Sequence, residues 1–210
     1  MRFSTFFAEQ ARKPSGLFGR LVMSNVFDIG NAYLNGFVNE LISIQENDHV
    51  LDIGCGTGKL IYNMARQIDD VYIEGIDFSS SMVSIAESRN RENIKIGKVK
   101  ILEGDFDELS YENNSFDKIC SVNTIYFWPE PEKTVLKVAE ILKTGGLFFV
   151  AFEDVRQLKQ RNLDKNVFQF FYVEDVKKLL VTSNFFSSIN IKSIKRGRLI
   201  FHCLIAKKHT

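Results

Sequence analysis

Cysteine is scarce and scattered: Cys55, Cys120 and Cys203 are far apart and form no CxxC pair. An odd, widely spaced set argues against a disulfide framework and against a zinc site, and it fits a reducing cytosol, so a cytoplasmic protein is expected. An excess of one charge is missing too. A formal net charge of +1 gives no electrostatic reason to expect DNA, RNA or an anionic membrane as the main partner. The local basic stretches at 95–100 and 192–198 are neither dense nor interleaved with aromatics, and they read as solvated faces. No apolar run approaches the roughly 18 residues needed to cross a bilayer. The first nine residues carry two phenylalanines in a row but no sustained apolar region like that of a signal peptide. Asn113-Asn114-Ser115 matches the glycosylation pattern, which means little without a secretory signal. Histidine is rare, and His49, His202 and His209 each read as structural or solvated rather than as a base.

What remains is ordinary globular material. With 45% hydrophobic and 25% charged residues in 210, the chain suits one domain with a short extension and buries a substantial core. No internal repeat or low-complexity linker divides it. Tyr33, Leu34, Phe37, Val38, Leu41 and Ile42 recur at helical spacing, so the stretch to about Asn47 is expected to be helical. Residues 1–47 are therefore read as an N-terminal helical cap or extension, and 48–210 as one globular unit.

From His49 the pattern alternates between strand and helix. Strands are expected at 49–53, 71–76, 99–102, 116–122 and, after a Gly145-Gly146 turn, 147–152. Helical faces lie between them, through Leu60, Ile61, Met64, Ala65 and Ile68, through Met82, Ile85 and Ala86, and through Val135, Val138, Ala139 and Leu142. Such alternation implies parallel strands joined by crossovers, with helices on both faces of the sheet. The ending differs. After a helix around Val176, Leu179 and Leu180, the runs at 188–195 and 199–206 are separated only by Arg196-Gly197-Arg198, a hairpin connection and hence antiparallel. The expected fold is α/β: a doubly wound, seven-stranded, mostly parallel sheet closing in an antiparallel hairpin.

Gly54, Gly56 and Gly58 follow the first strand and open a helix, which lets the backbone turn tightly and approach a ligand closely. The helix beginning near Thr57 also offers unpaired N–H groups. A dinucleotide loop, G-x-G-x-x-G, would need its third glycine at position 59, where Lys59 stands. A Walker A loop ending in Gly58-Lys59 would need glycine at 53 and Ser or Thr at 60, where Ile53 and Leu60 stand. The second strand ends in Asp77, which sits where a carboxylate can accept hydrogen bonds from ribose hydroxyls. The third ends in Glu103-Gly104-Asp105-Phe106. A crevice with several acceptors suits a cationic sulfonium nucleoside better than a polyanionic pyrophosphate.

In order and spacing, the segments 50–58, 74–79, 103–106, 116–119 and 142–146 resemble the class I S-adenosylmethionine (SAM)-dependent methyltransferases. The resemblance spans roughly 48–207, terminal hairpin included, and is closest to the small-molecule group called the type 11 methyltransferase domain. It implies that Asp52, Gly54, Gly56 and Gly58 surround the methionine part of SAM, and that Asp77 binds the ribose. It further implies that Phe78 and Met82 pack near adenine, that Asp105 accepts from the adenine amine beside the backbone of Phe106, and that Asn123 lies near the methionine amino group and the transferred methyl. Plain structural roles stay open for several of these: a helix cap for Asp77, a turn for Asp105, core packing for Phe78 and Met82, a loop position for Asn123.

The chain lacks the Asn/Asp-Pro-Pro-Tyr motif that marks transfer to nucleobase or glutamine nitrogen in related enzymes, having Asn123-Thr124-Ile125-Tyr126-Phe127-Trp128-Pro129 there instead. The expected acceptor is a small molecule, apolar or aromatic in part. Its pocket would be covered by the N-terminal helices, the Tyr126-Phe127-Trp128 loop and the stretch 153–172. A direct in-line displacement yielding S-adenosylhomocysteine (SAH) needs no metal, and no general base is evident in the sequence. A monomer or homodimer is expected. Two rivals remain, a SAM- or SAH-binding sensor or inactive partner subunit without transfer, and a nucleotide-dependent oxidoreductase.

Overall fold

The apolar runs pair into one sheet whose order explains where a ligand would sit. A computed structural model describes residues 10, 12–14, 24–161 and 163–210. In chain order the elements are α1 (Ser24–Ile42), β1 (Asp48–Ile53), α2 (Lys59–Ala65), β2 (Val71–Asp77), α3 (Ser80–Arg89), α4 (Arg91–Lys95), β3 (Val99–Glu103) and β4 (Phe116–Val122). A short 3-10 turn at Ile125–Phe127 follows, then α5 (Pro131–Ile141), β5 (Leu142–Glu153), α6 (Val155–Gln160), α7 (Val173–Thr182), β6 (Phe186–Arg196) and β7 (Leu199–Lys208). The strands order as β3-β2-β1-β4-β5-β7-β6. The first five are parallel, and β7 runs antiparallel to both its neighbours. The chain winds outward from β1 in one direction, then returns to its other side at β4. Between β1 and β4 lies a topological switch point, and ligands of such sheets bind outside the carboxyl ends of the strands there.

Because side chains alternate across a strand, the apolar runs supply two cores. Leu51, Ile119, Phe148, Val150 and Phe152 face α5 and α7 on one side of the sheet. Val50, Ile73, Cys120, Phe149 and Cys203 face α1 and α2 on the other. Helix α1 contributes Leu34, Val38 and Ile42, all essentially buried, in the same core as Leu60, Ile61 and Met64 of α2.

Three of the differences from the expected boundaries have a clear local cause. Helix α1 stops at Ile42 rather than near Asn47, because Ser43 turns left-handed at φ 46° and Asp48 Oδ2 accepts the Gln45 N–H at 2.6 Å. Leu142 is the first residue of β5 instead of part of the preceding helix face, paired with Phe116 and fully buried. The Gly145-Gly146 pair lies inside β5, where the β4–β5 register slips between Phe116 and Lys118. A Cβ on Gly146 would lie 2.9 Å from the Asp117 carbonyl oxygen and 2.8 Å from that of Lys143, so these glycines make a bulge where two backbones meet rather than a turn before the strand.

Charges inside the fold separate into two kinds. Asp48 is bridged to Lys118 at 2.5 Å, Asp117 to Lys143 at 2.7 Å and Glu74 to His49 at 2.9 Å. The carboxylates at the carboxyl ends of β1 and β2, Asp52 and Asp77, have no cationic partner among the described residues.

Candidate functional site

The loop after β1 is shaped by its glycines. Gly54, Gly56 and Gly58 all have positive φ (71°, 53° and 67°), conformations that cost side-chain-bearing residues about 1–2 kcal/mol. Gly54 and Cys55 both donate their N–H to the Ile76 carbonyl, at 2.8 and 3.0 Å, tying the loop to the end of β2. A Cβ on Gly54 would strike the side chain of Thr124. Gly58 does a different job from the other two. It does not line the cavity described below; a Cβ there would stand 2.8 Å from the Ala86 Cβ and 3.0 Å from its Cα. Gly58 thus seats α2 against α3, and its carbonyl accepts from Asn90 Nδ2 at 3.1 Å. Gly58→Ala is expected to lower unfolding free energy by about 2–4 kcal/mol, combining left-handed strain with overpacking against backbone. Denaturant unfolding checks this, and an unchanged midpoint would contradict it.

Asp77 is held by the loop it helps to hold. Its Oδ2 accepts the Gly56 N–H at 2.9 Å and its Oδ1 the Ser79 N–H at 2.9 Å. Each oxygen keeps a second lone pair for a ligand. Ser79, not Asp77, caps α3, accepting weakly from the Met82 N–H at 3.4 Å. Asp52, 2% exposed, accepts from the described residues only the Cys120 thiol at 3.4 Å, a weak donor. Burial pushes the Asp52 carboxyl up to about 7, opposed by the Cys120 hydrogen bond and reinforced by repulsion from Asp77. Burial likewise raises Asp77 to about 6 against the stabilising N–H groups of Ser79 and Gly56. Both acids stand where ionisation is costly, with no compensating cation among the described residues.

Both line a cavity of about 870 Å³ at the switch point. Of the ten residues expected at the site, nine line it: Asp52, Gly54, Gly56, Asp77, Phe78, Met82, Asp105, Phe106 and Asn123, with Gly58 behind. Met82 and Phe106 are buried in its wall. Phe78 is half-buried, with Lys13 Nζ 5.5 Å from its ring centre. Asp105 is exposed at the rim, where its Oδ1 also makes a turn with the Asp107 N–H at 3.0 Å. Asn123 is left-handed at φ 56°. Its Nδ2 donates to Asn31 Oδ1 at 2.8 Å, and its Oδ1 accepts from the Tyr126 hydroxyl at 3.0 Å.

Several site residues escaped the sequence reading. Asn31 and Asn35 of α1 line the cavity, and Asp28 of the same helix pairs with Arg89 at 2.5 Å, while Arg89 also donates to the Thr57 carbonyl at 2.8 Å. These bonds fasten α1 to the glycine loop. Their signal was present: Asp28, Asn31 and Asn35 recur at helical spacing as a polar stripe. Pro14 reaches the same region, its carbonyl accepting the Ser79 hydroxyl at 2.5 Å. The Tyr126-Phe127-Trp128 loop and the stretch 153–172, both expected over the acceptor pocket, do reach this cavity: Phe127, Trp128, Leu158 and Phe168 line it, together with Phe201, Glu153 and Arg161. Glu153 is the last residue of β5, an acid at the carboxyl end of an apolar strand like Asp77 in β2, so the same rule marks it.

Comparison with known proteins supplies the family. Residues 44–194 match the model of a methyltransferase domain. The Bacillus subtilis (strain 168) methyltransferase YdaC, itself uncharacterised, is 28% identical over 55% of this chain and 62% of its own length. A rice (Oryza sativa subsp. japonica) chloroplastic 2-methyl-6-phytyl-1,4-hydroquinone methyltransferase is 30% identical over 47% of this chain and 28% of its own. The chain thus spans less than two thirds of these relatives. Among solved structures, the Haloferax volcanii chain complexed with the Trm112 methyltransferase activator superimposes with a TM-score of 0.78 at 16% identity, covering 92% of this chain and 96% of that one. Haemonchus contortus phosphoethanolamine N-methyltransferase 2, solved with phosphomonomethylethanolamine and SAH, gives 0.77 at 15% identity over 92% of this chain and 58% of its own. Their fold is that of this chain, which belongs to the methyltransferase domain family.

Proposed function

We propose that the chain is a SAM-dependent methyltransferase acting on a small-molecule acceptor that is apolar or aromatic in part. One observation carries the reading: two buried carboxylates with no cationic partner among the described residues, Asp52 and Asp77, line an open cavity at the switch point of the sheet. A cationic ligand with an ammonium group and ribose hydroxyls supplies what both acids lack, whereas a pyrophosphate would meet two negative charges. Family membership supports the same choice.

In this reading Asp52, Gly54 and Gly56 hold the methionine part and Asp77 the ribose. Phe78 and Met82 flank the adenine, Asp105 with the backbone of Phe106 meets its amine, and Asn123 lies near the transferred methyl. When bound, SAM supplies a methyl carbon already activated on a sulfonium, which an acceptor takes by in-line displacement. The protein's share is alignment and exclusion of water. The described part of residues 1–47 acts as a cap over the 48–210 unit, a role supported by Pro14, Asn31 and Asn35 on the cavity wall; residues 1–9, 11 and 15–23 of that expected cap lie outside the described residues. The cavity is near the upper size for ligand sites, and its far end, walled by Trp128 and Phe168, is the acceptor's place. Among the described residues no helix is long and apolar enough to cross a membrane.

Titration calorimetry with SAM, SAH and NADH tests the donor, and SAH release across an acceptor panel tests transfer. Binding of SAM without turnover on any acceptor would favour a sensor, and NADH binding without SAM binding would overturn the reading. A pH dependence follows. A ligand that needs both carboxylates ionised binds more tightly as pH rises through about 6 for Asp77 and about 7 for Asp52. SAM affinity is expected to rise at least about tenfold from pH 5.5 to 7.5, with net proton release. Calorimetry in buffers of differing ionisation heat reads both, and a flat profile would remove these two acids from the site.

A further inference from the structure

We infer that Glu153 binds the acceptor's nucleophile as its proton acceptor, and that the acceptor is a neutral hydroxyarene. The inference rests on the methyltransferase reading and names the substrate class of that same cavity. Glu153 ends β5, two strands from Asp52 in the order β1-β4-β5 and four residues beyond Phe149, the β5 residue in line with Asp52, which puts it about 16 Å away, farther out along the carboxyl edge, at ordinary strand geometry. It is 6% exposed yet lines the cavity. Its Oε1 is committed, accepting from Gln157 Nε2 at 2.9 Å and from the Arg161 guanidinium. Its Oε2 accepts no hydrogen bond from the described residues. Among them the only fully buried side-chain polar atoms lacking a partner are Asn90 Oδ1 and the Tyr111 hydroxyl. Oε2 therefore keeps an open approach, and the cavity is the space that Glu153 faces. The backbone beside it is clamped, the Glu153 N–H donating to the Tyr126 hydroxyl at 2.6 Å.

Charge then narrows the ligand. Arg161 already compensates the carboxylate, so an ammonium acceptor would gain little there, and an anionic one would meet Oε2. A neutral O–H donor takes the free lone pair without disturbing the pair. The surrounding wall, with Phe127, Trp128, Phe168 and Phe201, suits a flat apolar body. The balance is simple. The hydroxyl proton passes to Oε2 as the oxygen–methyl bond forms and the carbon–sulfur bond breaks, its electron pair staying on sulfur, and the carboxylate returns the proton to solvent. Gln157 and Arg161 are positioning residues that fix which oxygen faces the cavity.

The test is equilibrium binding to the SAH-saturated protein, read by the fluorescence of Trp128, the only tryptophan. The probes are 4-tert-butylphenol, its methyl ether, 4-tert-butylbenzylamine and 4-tert-butylbenzoate. The phenol is expected to bind at least about tenfold more tightly than its ether, and more tightly than the amine or the acid. In Glu153→Gln the amide oxygen stays with Arg161 and the NH₂ faces the cavity, so the phenol-to-ether ratio should fall to within about twofold while SAH affinity is unchanged. Equal binding of phenol and ether to the wild type, preference for amine or benzoate, or an unchanged ratio in Glu153→Gln would each overturn the inference. SAH that fails to bind the wild type would instead bring down the methyltransferase reading beneath it.

Discussion

Asp77→Asn is expected to weaken SAM binding on the order of a thousandfold. Two effects combine. The carboxylate offers charge-assisted acceptance to ribose hydroxyls, each such bond being worth about 1.5–3 kcal/mol. It also accepts two backbone N–H groups, from Gly56 and Ser79, one on each oxygen. An amide has one oxygen, so its NH₂ must face one of those donors, and the loop loses the bond that sets its shape. If Gly56 is the loser, the glycine loop shifts; if Ser79, the start of α3 does. Calorimetry with SAH gives the affinity, and circular dichroism verifies that the fold persists. Affinity within threefold of wild type would mean that Asp77 does not hold the ligand.

Asp52→Asn should separate stability from function. Ionising this carboxylate in the ligand-free protein is opposed by burial, which raises it to about 7. A group raised in the folded state contributes stability that is fully present below its unfolded value and lost as pH rises through its folded value. The ligand-free wild type should therefore lose stability from this group between about pH 4 and 7, and Asp52→Asn should flatten that decline. At pH 8 the variant is expected to be more stable by about 1–3 kcal/mol, because a neutral amide replaces a buried charge held only by a thiol. SAM affinity should fall about a hundredfold, since the ammonium group loses its counter-charge. Thermal melts at pH 5 and 8, with and without SAM, read both halves. A variant less stable than wild type at pH 8 that binds SAM normally would contradict the assignment.

Much of this could be read from residue order. Alternation in Val50-Leu51 and in Phe148 to Phe152 places neighbours on opposite faces, and the helical periods between strands fix the layering. An acid at the end of an apolar strand, as at Asp52 and Asp77, marks the carboxyl edge before any coordinates are known. What spacing could not reveal is which partner a backbone meets. Gly58 and Gly56 look alike in the loop, but Gly58 owes its place to Ala86 and Asn90, some thirty positions on. The Gly145-Gly146 pair looks like a turn until β4 lies against it. The bonds of Arg89 to Asp28 and Thr57 join segments that no local pattern connects. Glu153 is legible by the strand-end rule, although no glycine loop follows it to mark a site.

The proposed reading fixes one ligand orientation, and a crystal structure of the SAH complex tests it most directly. The prediction is specific: both ribose hydroxyls on the Asp77 carboxylate, the amino group against Asp52, the adenine between Phe78 and Met82, and the sulfur turned toward Asn123 with open space running on to Glu153. SAH bound with its ribose away from Asp77, or with its sulfur turned toward Asp105, would contradict it.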